Sequence, residues 1–137
     1  MATGDNIRRY RKAKGLTQVQ LADAVGVTEG AIRHYESGIR AVRPELLEGI
    51  ANALGVSEGA LKDYGVETSH DLMALLLQLE EGYGLVPSKD GTGLAVDPKA
   101  PHAPKLAQSI KSWAEKREEL ERGEVDEAAY TDWKASF

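Results

Sequence analysis

The chain contains no cysteine in its 137 residues, which excludes disulfides, thiolate catalysis and cysteine-based metal sites. Such a composition suits a reducing compartment without requiring one. No apolar run approaches the ~18–20 residues that a membrane span needs. The opening stretch, MATGDNIRRYRKAKG, has no apolar h-region, so no secretory signal is expected and a cytoplasmic location is. Chemistry-bearing constellations are equally scarce. No glycine-rich phosphate loop, nucleophile elbow or acid pair stands out. His70 and His102 lie far apart, whereas a metal site needs three or four ligands in fixed geometry. No enzyme activity, cofactor or metal is therefore expected.

What is present is a soluble, globular composition, 42% hydrophobic and 28% charged, in a length that suits one ordinary domain or two small ones. The net charge of −5 argues at first against a polyanionic partner. Its distribution reverses that argument. Residues 1–65 hold nine Lys/Arg and eight Asp/Glu, a net of +1. Residues 66–137 hold eight Lys/Arg and fourteen Asp/Glu, a net of −6. The octapeptide IRRYRKAK, residues 7–14, carries five positive charges and no negative one. Local potential decides where a polyanion docks. A solvated helix face explains the octapeptide alone equally well.

Local signals divide residues 1–65 into five short helices. The first covers about 5–14, with Ile7 and Tyr10 inward, and ends at Gly15. In the second, Thr17 and Gln20 have capping-box spacing. Leu21, Ala22 and Val25 make its apolar face, and Gly26 ends it. The third starts at Thr28, another N-cap candidate, and turns Ala31, Ile32 and Tyr35 inward. The fourth opens on Pro44 and carries a wide stripe from Leu46 to Leu54. The fifth, from Ser57, holds Leu61.

Residues 66–137 read as a second, smaller domain. A helix capped by Thr68 or Ser69 runs to Gly82, with Leu72, Leu75, Leu76 and Leu79 apolar. Short strands at 85–86 and 94–96 flank Asp90-Gly91, a strong hairpin signal. A long helix over 104–122 follows. Its stripe of Leu106, Ile110, Trp113 and Leu120 is either a domain core packed against Tyr130 and Trp133 or, less favoured over three turns, a coiled-coil seam. A last helix from about 126 places Tyr130, Trp133 and Phe137 on one face. The expected fold class is mainly α: a five-helix unit over 1–65, then a helical unit over 66–137 with a short β-hairpin.

Helix, sharp glycine turn, helix is the helix-turn-helix unit, here with Gly26-Val27-Thr28 as its turn. The helix over 17–25 braces. The helix over 28–37 projects an outer face carrying Glu29, Arg33 and His34, groups able to hydrogen-bond base edges in a major groove. Gly30 lets the backbone come close to DNA. The whole run resembles the phage-repressor and Cro-like helix-turn-helix regulators, also called the xenobiotic-response-element family. The likeness is carried by R-x-x-R-x-x-x-G-L-T-Q-x-x-L-A, G-V-T, I-x-x-Y-E-x-G and L-x-x-I-A-x-A-L-G-V, in order, over about 7–61. The resemblance implies a five-helix bundle that binds operator DNA as a dimer. It places Glu29, Gly30, Arg33 and His34 at base-facing positions. It puts Thr17, Gln18, Arg40 and Arg43 near phosphates and makes Arg11 and Glu36 an internal ion pair. Gly30 departs from the long polar reader frequent there. Glu29 fits either a cytosine N4 acceptor or a favourable charge at a helix N-terminus.

The leading expectation is a transcriptional regulator, a repressor, acting as a homodimer on double-stranded DNA at a palindromic operator. The competing one is an antitoxin-type interaction module. On either reading the C-terminal half serves dimerisation, a protein partner or a small-molecule effector.

Overall fold

A computed structural model describes residues 2–137. Among them are eight helices and one two-stranded sheet: α1 (Thr3–Ala13), α2 (Gln18–Val25), α3 (Glu29–Glu36), α4 (Pro44–Leu54), α5 (Glu58–Leu61), α6 (Ser69–Tyr83), β1 (Leu85–Pro87), β2 (Leu94–Val96), α7 (Ala103–Glu121) and α8 (Glu127–Ser136). The architecture is the mainly helical one expected, hairpin included. No described helix is long and apolar enough to cross a membrane.

The chain forms two compact units. One comprises the residues up to Gly65 together with Thr131–Phe137, and the other is Val66–Tyr130. In the first, α2 packs on α3 and α4, and α1 packs on α3 and α5. Ile7, Leu21, Ile32, Ile50 and Leu61, one from each of the five helices, are fully buried at its centre. Each contributes ~1.5–3 kcal/mol relative to exposure. The C-terminal residues join this unit through Ser57, whose N–H donates to the Ala135 carbonyl at 2.8 Å. Trp133 therefore belongs to the first unit, where it lies beside Tyr10, Lys14, Leu54 and Val56.

The second unit is organised by its turns. Thr68 and Asp71 cap α6 reciprocally, which holds the Asp71 carboxyl below its ordinary range through the N–H of Glu67 and the Thr68 groups. The strands pair antiparallel with Leu85 opposite Val96 and Pro87 opposite Leu94. The loop between them is longer than a two-residue turn. Asp90 accepts from the Ser88 hydroxyl and from the Thr92 N–H and hydroxyl, all through Oδ1. Those bonds, the Ser88 hydroxyl foremost, lower its pKa to about 2. The Trp113 indole N–H donates to the Tyr130 hydroxyl at 2.8 Å.

Candidate nucleic-acid interface

The α2–α3 turn depends on one backbone geometry. Gly26 sits at φ 75°, ψ 32°, the left-handed region where a side chain is strained. Its N–H closes α2 on the Ala22 carbonyl, and two residues on Thr28 starts α3. The Thr28 hydroxyl accepts from the Ala31 N–H at 3.1 Å. Thr17 does the same for Gln20 at 3.0 Å, while the Gln20 amide oxygen accepts from the Thr17 N–H at 2.9 Å, completing the expected capping box. Such caps contribute about 1 kcal/mol each and fix where a short helix begins.

α3 is divided sharply by face. Ile32, Tyr35 and Glu36 are buried, whereas Glu29, Arg33 and His34 are exposed. Gly30 is half-buried beside them. A methyl group there would lie 3.8 Å from the Arg33 guanidinium and 3.9 Å from the Thr28 hydroxyl, in ordinary contact. The four residues expected to face bases thus share one edge, and that edge is not covered by its own unit.

Two close contacts hold α3 in place. Arg11 on α1 donates from Nε to Glu36 Oε1 at 2.5 Å and from Nη2 to Oε2 at 3.1 Å. Its Nη1 donates to the Leu16 carbonyl at 2.8 Å. Both partners are buried, so the guanidinium and the carboxylate satisfy each other within the core. The positive charge of Arg11 is consequently spent inside. The exposed positive charges of this segment are Arg8, Arg9 and Lys12 on α1 and Lys14 at its C-cap. The second contact is Gly4. A Cβ at this position would lie within 2.2 Å of the Tyr35 carbonyl oxygen, so α1 approaches the end of α3 more closely than any side chain permits. Nothing in the local sequence marked Gly4, because the constraint comes from a residue 31 positions later.

Gln18 has a use that its motif position did not reveal. Its amide N–H donates to Glu36 Oε2 at 2.9 Å, so it is the third member of the Arg11–Glu36 cluster. The side chain is half-buried and retains its carbonyl and one amide hydrogen. The N–H groups of Gln18 and Val19 fall in the first turn of α2, where no intrahelical acceptor exists. Anions are favoured at such a helix end. Arg40 and Arg43 are exposed in the loop after α3. The Arg40 guanidinium lies 5.6 Å from the Tyr35 ring centroid, and Arg43 is the N-cap residue of α4. Among the described residues no group of His, Asp or Glu is arranged to hold a metal ion.

A family model described as helix-turn-helix matches residues 7–61. No curated protein matches the chain. Several solved structures do. SinR, the master regulator for biofilm formation, in complex with DNA, is 31% identical over 44% of this chain and 98% of that one, with a TM-score of 0.43. The P22 c2 repressor protein, bound to a synthetic operator, is 31% identical over 44% of this chain and 92% of that one, with a TM-score of 0.43. The clp gene regulator ClgR from Corynebacterium glutamicum is 30% identical over 56% of this chain and 74% of that one, with a TM-score of 0.43. The match at 7–61 covers the capped α2, the Gly26 turn and the whole of α3. Through this segment the chain belongs to the helix-turn-helix family of phage-repressor-like, DNA-binding transcription regulators.

Proposed function

We propose that the protein is a sequence-specific repressor that binds a palindromic operator as a homodimer, reading bases with the outer edge of α3. The observation that carries this reading is the division of α3. Its inner face is locked by Ile32, Tyr35 and the Arg11–Glu36 pair, while Glu29, Arg33 and His34 stand exposed on a helix that cannot rotate away. Rigid presentation lets a few side chains discriminate, because each well-placed base contact is worth ~1–3 kcal/mol. Arg33 suits guanine O6 and N7. Gly30 lets the helix backbone approach the groove floor.

Phosphates flanking the groove would be met by the first-turn N–H groups of α2 with Thr17 and Gln18, and by Arg40 and Arg43. The acidic second unit, net −6 over residues 66–130, disfavours that unit as the DNA contact. One short helix reads only a few base pairs, so two symmetry-related copies are needed for useful specificity. Their half-sites should be about one helical turn apart, on the order of 34 Å.

Selection of bound sequences from a random DNA pool tests the reading. An inverted repeat with half-site centres about one turn apart is the expected product. Affinity should fall by ~10³ between 50 and 200 mM salt if about six phosphates are neutralised. Enrichment of no sequence over the input pool, with a flat salt response, would overturn the proposal.

A further inference from the structure

The last turn of α8 closes a cavity within the helix-turn-helix unit. Its walls come from the end of α1, the α4–α5 turn and residues 132–136, all of the same compact unit. The volume is about 570 Å³, inside the ~300–1,000 Å³ typical of small-molecule sites. The wall supplied by α8 is anchored. Ala135 is buried, and its carbonyl accepts from the Ser57 N–H at 2.8 Å. The Ser136 hydroxyl donates to the Trp133 carbonyl at 2.7 Å. No lining residue belongs to α2, α3 or the loop of Arg40 and Arg43. The cavity is therefore distinct from the residues assigned to bases and phosphates.

Its lining is of two kinds. Tyr10 and Trp133 supply rings, both half-buried, and Leu54 and Val56 supply aliphatic surface. The Tyr10 ring is held in place, because its hydroxyl accepts from Arg9 Nη2 at 2.9 Å and the Arg9 guanidinium lies 4.8 Å from its centroid. Such walls favour a flat, apolar group. The charged lining residues are one cation, Lys14, and one anion, Asp132. A Cβ at Gly55 would lie 2.8 Å from Lys14 Nζ, so the ammonium folds back over the bare backbone at the end of α4, in the cavity wall. Among the described residues neither Lys14 nor Asp132 has an ion-pair or side-chain hydrogen-bond partner, and they do not pair with each other. Two opposite charges thus line one cavity without neutralising one another. An anionic ligand would satisfy Lys14 and be repelled by Asp132. A cationic ligand would meet the reverse. A ligand carrying both a carboxylate and an ammonium satisfies both.

We propose that this cavity binds a free aromatic amino acid, its carboxylate toward Lys14, its ammonium toward Asp132 and its ring against Tyr10 and Trp133. The site does not depend on the DNA-binding reading.

Isothermal titration calorimetry of the full chain with L-phenylalanine, L-tyrosine and L-tryptophan tests it. At least one should bind, one per chain, with a dissociation constant below about 1 mM. Phenylpropionate lacks the ammonium, phenethylamine lacks the carboxylate and L-alanine lacks the ring. Each should bind on the order of 10-fold or more weakly than L-phenylalanine, since each forfeits a charge-assisted bond or the ring contacts. Lys14→Gln should erase the advantage of L-phenylalanine over phenethylamine. Asp132→Asn should erase its advantage over phenylpropionate. Lys12→Gln, on α1 but outside the lining, should change neither. Lys14 and Asp132 are exposed, so both variants should melt as wild type does by circular dichroism. Absence of binding by all three amino acids at millimolar concentration would overturn the proposal. So would analogues that bind as well as L-phenylalanine, or variants that keep the wild-type preferences. The analogue series uses wild type alone, so it decides the matter even where a variant unfolds.

Discussion

Replacing Gly30 by alanine should move stability and DNA affinity in opposite directions. Gly30 is the second residue of α3, with backbone angles open to any residue. The added methyl would meet only the Arg33 guanidinium at 3.8 Å and the Thr28 hydroxyl at 3.9 Å, so it fits without strain. Alanine in a helix is favoured over glycine by ~0.5–1 kcal/mol, mostly through the entropy of the unfolded chain. For a unit of this size that gain raises the melting temperature by roughly 2–8 °C. The methyl also lies on the Arg33 side of α3, the edge assigned to the groove. If the backbone there touches base edges, overpacking costs ~1–3 kcal/mol, or roughly 5- to 150-fold in operator affinity. Thermal melts by circular dichroism and gel shifts on the selected operator give the two numbers. A lower melting temperature would refute the helical packing around Gly30. Operator affinity within about two-fold of wild type would refute the close backbone approach.

The Arg11–Glu36–Gln18 cluster yields a stability prediction: Glu36→Ala leaves the Arg11 guanidinium buried without its carboxylate and should cost ~3–5 kcal/mol in denaturant unfolding. Gln18→Ala should lower stability by ~1 kcal/mol, since it removes a bond to Glu36, and, on the proposed phosphate role, should weaken cognate and random DNA alike. Arg33→Ala and His34→Ala should leave the melt within ~0.5 kcal/mol of wild type. Both should reduce cognate binding more than random binding in the same gel shift. In the hairpin loop, the Asp90 carboxyl should titrate near 2 in a carbon-detected NMR experiment. Because its folded pKa lies below the ordinary value of 3.8, its hydrogen bonds stabilise the loop at neutral pH. That contribution is lost as pH falls from about 4 through 2. Ser88→Ala should move the titration back toward the ordinary value.

Much of the first unit could be read directly from the chain. Thr17, Thr28 and Pro44 announce helix starts through their own side chains. Gly26 announces a turn through its lack of one, and Leu21, Ile32 and Ile50 mark core faces by spacing. These are local effects, decided within a few residues of the backbone, so local sequence suffices. The exposed edge of Glu29, Arg33 and His34 follows from the same periodicity once Ile32 and Tyr35 are inside. In the second unit the same reasoning found α6, the hairpin and α7 and set the α7 stripe against Tyr130, which Trp113 meets, but it assigned no cover to the apolar stripe of α6. A stripe says that a face must be buried and is silent about the surface that buries it.

The sequence by itself determined where helices begin and end and which side of each is apolar, because capping, glycine turns and 3.6-residue periodicity act over single turns. Tertiary structure alone decided that Gly4 must be bare beneath the Tyr35 carbonyl, that Gln18 completes the buried Arg11–Glu36 pair, and that Thr131–Phe137 join the helix-turn-helix unit. Each of these depends on atoms far apart along the chain meeting at van der Waals or hydrogen-bond distance, and such a meeting is fixed by how whole helices pack.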